Sequence, residues 1–119
     1  MSPTVLCYAL SDDRFAAVST LCRTLGCMPR RVKPQEYACP IGALLGFPGA
    51  SGNGNGAVLD EMLVLCGFTP DGLDELLAAF SAQGVPGVAL KAVLTPSNAG
   101  WTGGALYMEL LRERQAMGR

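Results

Sequence analysis

The sequence predicts an α/β fold: a three-layer domain built on a four-stranded, mostly parallel sheet in the order 2-1-3-4, with helices on both faces. Short, near-continuous apolar runs recur along the chain, as suits strands covered on both sides of a sheet. Between them lie longer segments with apolar residues at helical spacing, long enough to serve as crossovers between parallel strands. Length sets the scale, since 119 residues supply one core of ordinary size. The whole chain is therefore read as a single domain. The competing arrangement is a ferredoxin-like α+β fold, in which two β-α-β units interleave antiparallel and the last helix is an appendage.

The first strand is predicted from Thr4 to Leu10. A helix follows, capped by Ser11 or Asp12, with Phe15, Val18, Cys22 and Leu25 on one side and Gly26 at its left-handed end. Arg31 to Lys33, with their neighbours, form a weaker second strand, and a short helix from Pro40 to Leu45 covers the connection that follows. The third strand runs from Met62 to Gly67. Thr69 then caps a helix with Pro70 at its first position, the stripe Leu73, Leu76, Leu77 and Phe80, and Gly84 at its close. A fourth strand spans Val88 to Leu94, interrupted only by Lys91. The last helix is expected from about Pro96 to Arg114, with Trp101, Ala105, Met108 and Arg112 on one side and Leu106 and Leu110 widening the band.

Composition excludes several classes of function. Half the residues are apolar, 16% are charged and the formal net charge is -1, a globular and balanced profile. Electrostatic capture of nucleic acid or of an anionic membrane is not indicated. The amino-terminal run from Val5 to Leu10 is too short and has the wrong flanks for a signal peptide or a membrane span. With no histidine and no C-x-x-C pair among Cys7, Cys22, Cys27, Cys39 and Cys66, no metal and no cofactor is expected, and a histidine-based triad is impossible. Free thiols and a cytoplasmic setting follow as expectations.

The run MLVLCGF from Met62 to Phe68, the stretch LDELLAAFSAQGVPGVALKAVLTPSN from Leu73 to Asn98, the Trp-Thr pair and LYMEL together resemble a family of small bacterial and archaeal proteins, domain of unknown function 3783. The similarity is read from Thr4 to about Glu113 and is most specific from Lys91 to Trp101. It implies a single-domain bacterial protein of this length, and no activity. Two features depart from the family: Cys39, and the glycine-rich stretch from Gly49 to Gly56 where relatives carry a polar or acidic linker.

Candidate site residues follow from placement. In a parallel sheet, the strand-to-helix junctions at Ser11, Thr69 and Thr95 lie at the carboxyl edge, where open α/β sheets bind ligands at the switch in strand order. Free helix-start amides there suit a small molecule, neutral or singly charged because Asp12 and Asp13 offset the dipoles. Asn98 and Trp101 add an amide and an aromatic edge to the same crevice, although Trp101 also suits packing of the last helix onto the sheet. Lys91 is a charge in an apolar strand: an edge-strand guard against aggregation, or an anchor for an anion, or a partner of Asp60 or Glu61. Each junction residue serves equally as an ordinary cap.

Other motifs carry less. The glycine-rich loop at about 48–57 leads into a strand and lacks the lysine of a phosphate loop, so it reads as a connector. Cys39, before Pro40, sits at a possible helix start, yet no base accompanies it. Cys27 is expected to be partly exposed. Arg30, Arg31 and Lys33 form a short solvated basic patch without interleaved aromatics.

The function expected is a non-enzymatic module that binds a small ligand or a protein partner at the carboxyl edge of the sheet. The alternatives are an enzyme of unknown reaction using Lys91 with Thr95 and Asn98, and a structural domain that forms a homo-oligomer through the last helix or an open sheet edge.

Overall fold

The computed structural model describes residues 2–47 and 56–117; apart from Gly56 and Ala57, the glycine-rich loop lies outside the described residues. The elements are β1 (Thr4–Tyr8), α1 (Asp12–Leu25), β2 (Met28–Arg31), a 3-10 turn (Pro34–Glu36), α2 (Ile41–Leu44), β3 (Met62–Cys66), α3 (Pro70–Ala82), β4 (Leu90–Val93) and α4 (Gly103–Met117). The sheet order is β2-β1-β3-β4, as expected. β1 pairs with β2 in parallel and β3 with β4 in parallel, so each β-α-β crossover forms as predicted. The central pair is the exception: β1 and β3 run antiparallel, Thr4 opposite Cys66 and Tyr8 opposite Met62. Continuous apolar runs mark both as central strands without marking their relative direction. The ferredoxin-like alternative does not form, since it would separate β1 from β2.

Alternation along the strands divides the core in two. Val5, Cys7, Leu63 and Leu65 face α1 and α3, packing on Val18, Leu21, Leu76 and Phe80. Leu6, Tyr8, Met62, Val64 and Cys66 face α2 and α4, packing on Ile41, Leu44, Leu106 and Tyr107. The layers are helix, sheet and helix.

Several expected elements shift. β2 begins earlier than Arg31, because Met28 continues the ladder from the amide that donates to the Pro3 carbonyl (2.8 Å). In α3, Leu76, Ala79 and Phe80 are buried, whereas Leu77, expected in the stripe, is 43% exposed. Cys27 is buried, not partly exposed. α4 begins at Gly103, not near Pro96, and its buried face carries Leu106 and Tyr107, while Met108 turns to solvent. The cause is tertiary: residues 96–100 form a turn, and Gly103 passes so close to Tyr8 that a Cβ there would lie 2.4 Å from its ring.

The antiparallel centre exposes an internal repeat. Each half runs β, α, β, turn, helix, and the halves are related by a pseudo-twofold axis between Leu6 and Val64, which are paired. Ser11 and Thr69 are corresponding caps, each hydroxyl accepting the amide three residues on (3.2 and 3.0 Å). Ala9 and Gly67, at the ends of the corresponding strands, both have positive φ, 61° and 77°. Gly26 and Gly84 close the two long helices alike, and the amides of Cys27 and Val85 donate to Cys22 and Phe80.

The repeat continues through the second layer. Val32 and Leu94 donate to Cys7 and Leu65, one in each half. Pro34 and Pro96 open the two turns, and the sequence Gly-Ala-Leu stands at 42–44 and again at 104–106. Pro40 and Thr102, mates across the axis, pair with each other. The Gly42 amide donates to Ala99 and its mate Gly104 donates to Tyr37. Ahead of the last helix, the main difference in length is an insertion in the second half, at residues 86–89. Buried backbone groups must find partners, and at these positions the two halves satisfy them in the same way.

Candidate functional site

The antiparallel centre decides which candidates meet. β1 ends at one edge of the sheet while β3 and β4 end at the other, so Ser11 lies across the molecule from Thr69 and Thr95. The expected convergence of Ser11, Thr69, Thr95 and Asn98 on one crevice therefore does not occur. Thr69 lines a small recess of about 120 Å³ with Pro3, Cys27 and Phe68, on the α3 side.

The remaining four candidates do come together. Lys91, Thr95, Asn98 and Trp101 line one open groove of about 310 Å³, with Ala92, Ser97, Leu106, Glu109, Leu110 and Glu113. β4 supplies its floor at the edge of the sheet, the turn at 95–100 closes one end, and α4 forms the opposite wall. Trp101 is 37% exposed here, so its ring is a wall of the groove as well as a packing element.

The turn is held by its own side chains. Asn98 Oδ1 accepts the Thr95 amide (2.9 Å), Thr95 Oγ1 accepts the Asn98 amide (3.1 Å), and Asn98 Nδ2 donates to the Val93 carbonyl (3.0 Å). This reciprocal closure diverts the chain where the sequence suggested a helix start, just as Thr-Pro does begin α3. Asn98 is thus a turn-forming residue at the groove, and its replacement acts on the fold as well as on any ligand.

Lys91 sits on the edge strand, as one reading proposed. Its register with Leu63 places its side chain on the α3 side of the sheet, away from α4, and its ammonium donates to the Val88 carbonyl at 2.6 Å, so it borders the groove without turning its charge into it. The suggested partners are engaged elsewhere. Glu61 makes a two-point ion pair with Arg14 (2.9 and 3.1 Å), and Asp60 accepts from the Tyr107 hydroxyl at 2.6 Å, which holds that phenol above its ordinary range.

Sequence reasoning missed the carboxylates of the groove. Glu109 and Glu113 stand one turn apart on α4, a spacing visible in the chain, but their meaning depends on which face of α4 is buried. Glu109 pairs with Arg112, and Glu113 lies exposed at the rim. It also missed Arg30. Half-buried, its guanidinium donates to the Leu44 carbonyl and to Glu36 Oε2 (3.0 Å), and Glu36 in turn accepts the Lys33 amide (3.0 Å). Glu36 is held below the ordinary carboxylate range, by the Lys33 amide first and by the charges of Arg30 and Lys33 as well.

Burial pushes the thiols of Cys7 and Cys66 up to about 12, leaving both protonated and inert. Cys39 is the most accessible of the five, beside a helix of a single turn. Among the described residues, no group of three potential ligands is placed to hold a metal ion, and no helix is long and apolar enough to cross a membrane.

Fold and site together define a small α/β protein of two related halves, with an open groove in the second. Residues 61–117, which span β3 through α4, match the model of the domain of unknown function (DUF3783). The match is narrower than the resemblance from Thr4 to Glu113, and both Cys39 and the glycine-rich stretch fall outside it. No curated protein and no solved structure matches the chain.

Proposed function

We propose that this protein is a non-enzymatic binding module for a small ligand or a segment of a protein partner, with the groove beside β4 as its site. One observation carries the reading: Thr95, Asn98 and Trp101, singled out by their chemistry, line it together, between the edge strand β4, a self-capped turn and α4. A groove with an apolar floor and a few polar groups is the usual form of such a site. The enzyme alternative draws less support, since the Lys91 ammonium is engaged by a carbonyl and the Asn98 amide by its own turn.

Trp101 is the single tryptophan of the chain, so its emission reports on the groove directly. A thermal-shift screen should find compounds that raise the unfolding midpoint by mass action. Those that bind the groove should also change the Trp101 emission. If every stabilising compound leaves that emission unchanged, the site lies elsewhere and the reading is wrong.

A further inference from the structure

Resting on the groove reading above, we infer that the occupant is the guanidinium of an arginine presented by a protein partner. The first half of the molecule already contains the arrangement. Arg30 and Ala92 are mates across the pseudo-twofold axis, paired respectively with Leu6 and Val64 on the same face of the sheet. From that position Arg30 reaches the Leu44 carbonyl and the Glu36 carboxylate. The mates of Leu44 and Glu36 are Leu106 and Asn98, and both line the groove. The same backbone frame is thus filled by an arginine in one half. In the other, alanine leaves about 310 Å³ open.

The polar groups around the open copy are rearranged in a way that suits an incoming cation. Asn98 is neutral where Glu36 is charged, and α4 continues where α2 stops, so the Leu106 carbonyl lies inside a helix. The longer helix brings Glu109 and Glu113 to the groove instead. Arg112 holds Glu109 from within α4, while Glu113 has no ion-pair partner among the described residues. Lys91 borders the groove from β4, but its side chain lies on the α3 face of the sheet, with its ammonium on the Val88 carbonyl. The exposed ring of Trp101 offers a face on which a planar guanidinium stacks, which a compact ammonium does less well.

The test is a nuclear magnetic resonance titration of the full chain with a capped Gly-Arg-Gly peptide, and with the same peptide carrying citrulline, its neutral near-isostere, or lysine. The arginine peptide should shift the amides of residues 95–101 and the Trp101 indole. Citrulline should bind about fivefold more weakly or worse, the scale of losing one exposed charge pair. Ala92→Arg, which copies the first half, should abolish the response. Should that variant fold poorly, Glu113→Gln with Glu109→Gln gives the same reading through a weakened response to arginine alone.

Equal responses to arginine and citrulline would overturn the cation inference and leave the groove as a binding site. Shifts scattered over the surface would overturn it too. If none of the three peptides moves the groove residues and no compound from the screen changes Trp101 emission, both the inference and the groove reading fall.

Discussion

In the first half, Arg30 crosses from β2 to the turn and the short α2; in the second, Ala92 at the corresponding register leaves that space open beside a helix more than twice as long. Some of the backbone hydrogen bonds around the two positions are shared, Val32 to Cys7 and Leu94 to Leu65 among them. This contrast separates two pressures on a repeated frame. Buried backbone groups must be paired, so caps, left-handed residues and strand register persist in both halves. Side chains that fill the frame are free to exchange size and charge, provided each exchange is compensated nearby. Tyr8 of the first half meets Gly103 of the second; their mates Cys66 and Ile41 reverse the sizes in the same apolar cluster.

The largest expected difference lies under the long helices. Phe80 is 6% exposed, and its mate in α1 is the smaller Cys22, also buried. Phe80→Ala should cost roughly 3–5 kcal/mol, from lost transfer energy and the cavity left behind. Cys22→Ala should cost clearly less, because far less volume is removed. Chemical denaturation of both variants checks this, and equal losses would mean that the two helices do not share one packing scheme.

Next comes the exchange of sizes at the other face. Gly103→Ala should destabilise by about 1–3 kcal/mol, as overpacking against a fixed ring does. In a chain also carrying Tyr8→Leu, part of that loss should return. Additive losses in the double variant would show that Tyr8 and Gly103 are not a compensated pair.

A smaller effect, of opposite sign, is expected where the first strand ends. Ala9 holds a left-handed conformation that its mate Gly67 adopts without a Cβ. Ala9→Gly should therefore raise stability by up to about 1 kcal/mol, read as a higher thermal midpoint. A lower midpoint would show that the Ala9 methyl contributes more by packing than it costs by strain.

The smallest effect separates the two turns by pH. Glu36 is held below its ordinary range, so its contribution is full above the unfolded carboxylate value of about 4.3 and is lost as pH falls through the lower folded value. Asn98 performs the same capping without a titrating group. Glu36→Asn should flatten the acid decline of the thermal midpoint between about pH 6 and pH 3. An unchanged decline would place the acid sensitivity outside the first turn.

Much of this architecture was legible in the chain because local chemistry dictates it. Ser11, Thr69, Pro70, Gly26 and the apolar runs define β1, α1, β3 and α3 with little help from tertiary structure, and the strand order followed. What stayed hidden depends on contacts between distant residues. Strand direction at the centre is silent in a run buried on both faces, and with it went the meeting of Ser11 with the other candidates. Thr95-Pro96 looks like Thr69-Pro70, yet Asn98 folds back on it and Tyr8 sets where α4 can begin. Arg30 looked solvated because a charge in sequence does not show the carbonyl it will reach. The repeat left few identities, Pro34 and Pro96 and the two Gly-Ala-Leu triplets among them, too sparse to stand out from the rest of the chain.

The antiparallel seam between β1 and β3 also settles a question of mass action. Two separate copies of such a half would meet along that seam as subunits do, and their association would weaken on dilution. Joined in one polypeptide, each half meets its counterpart at an effective concentration fixed by the connecting chain. The pairing of Leu6 with Val64 therefore persists however scarce the protein is, and dilution favours each half meeting its own counterpart over like joining like.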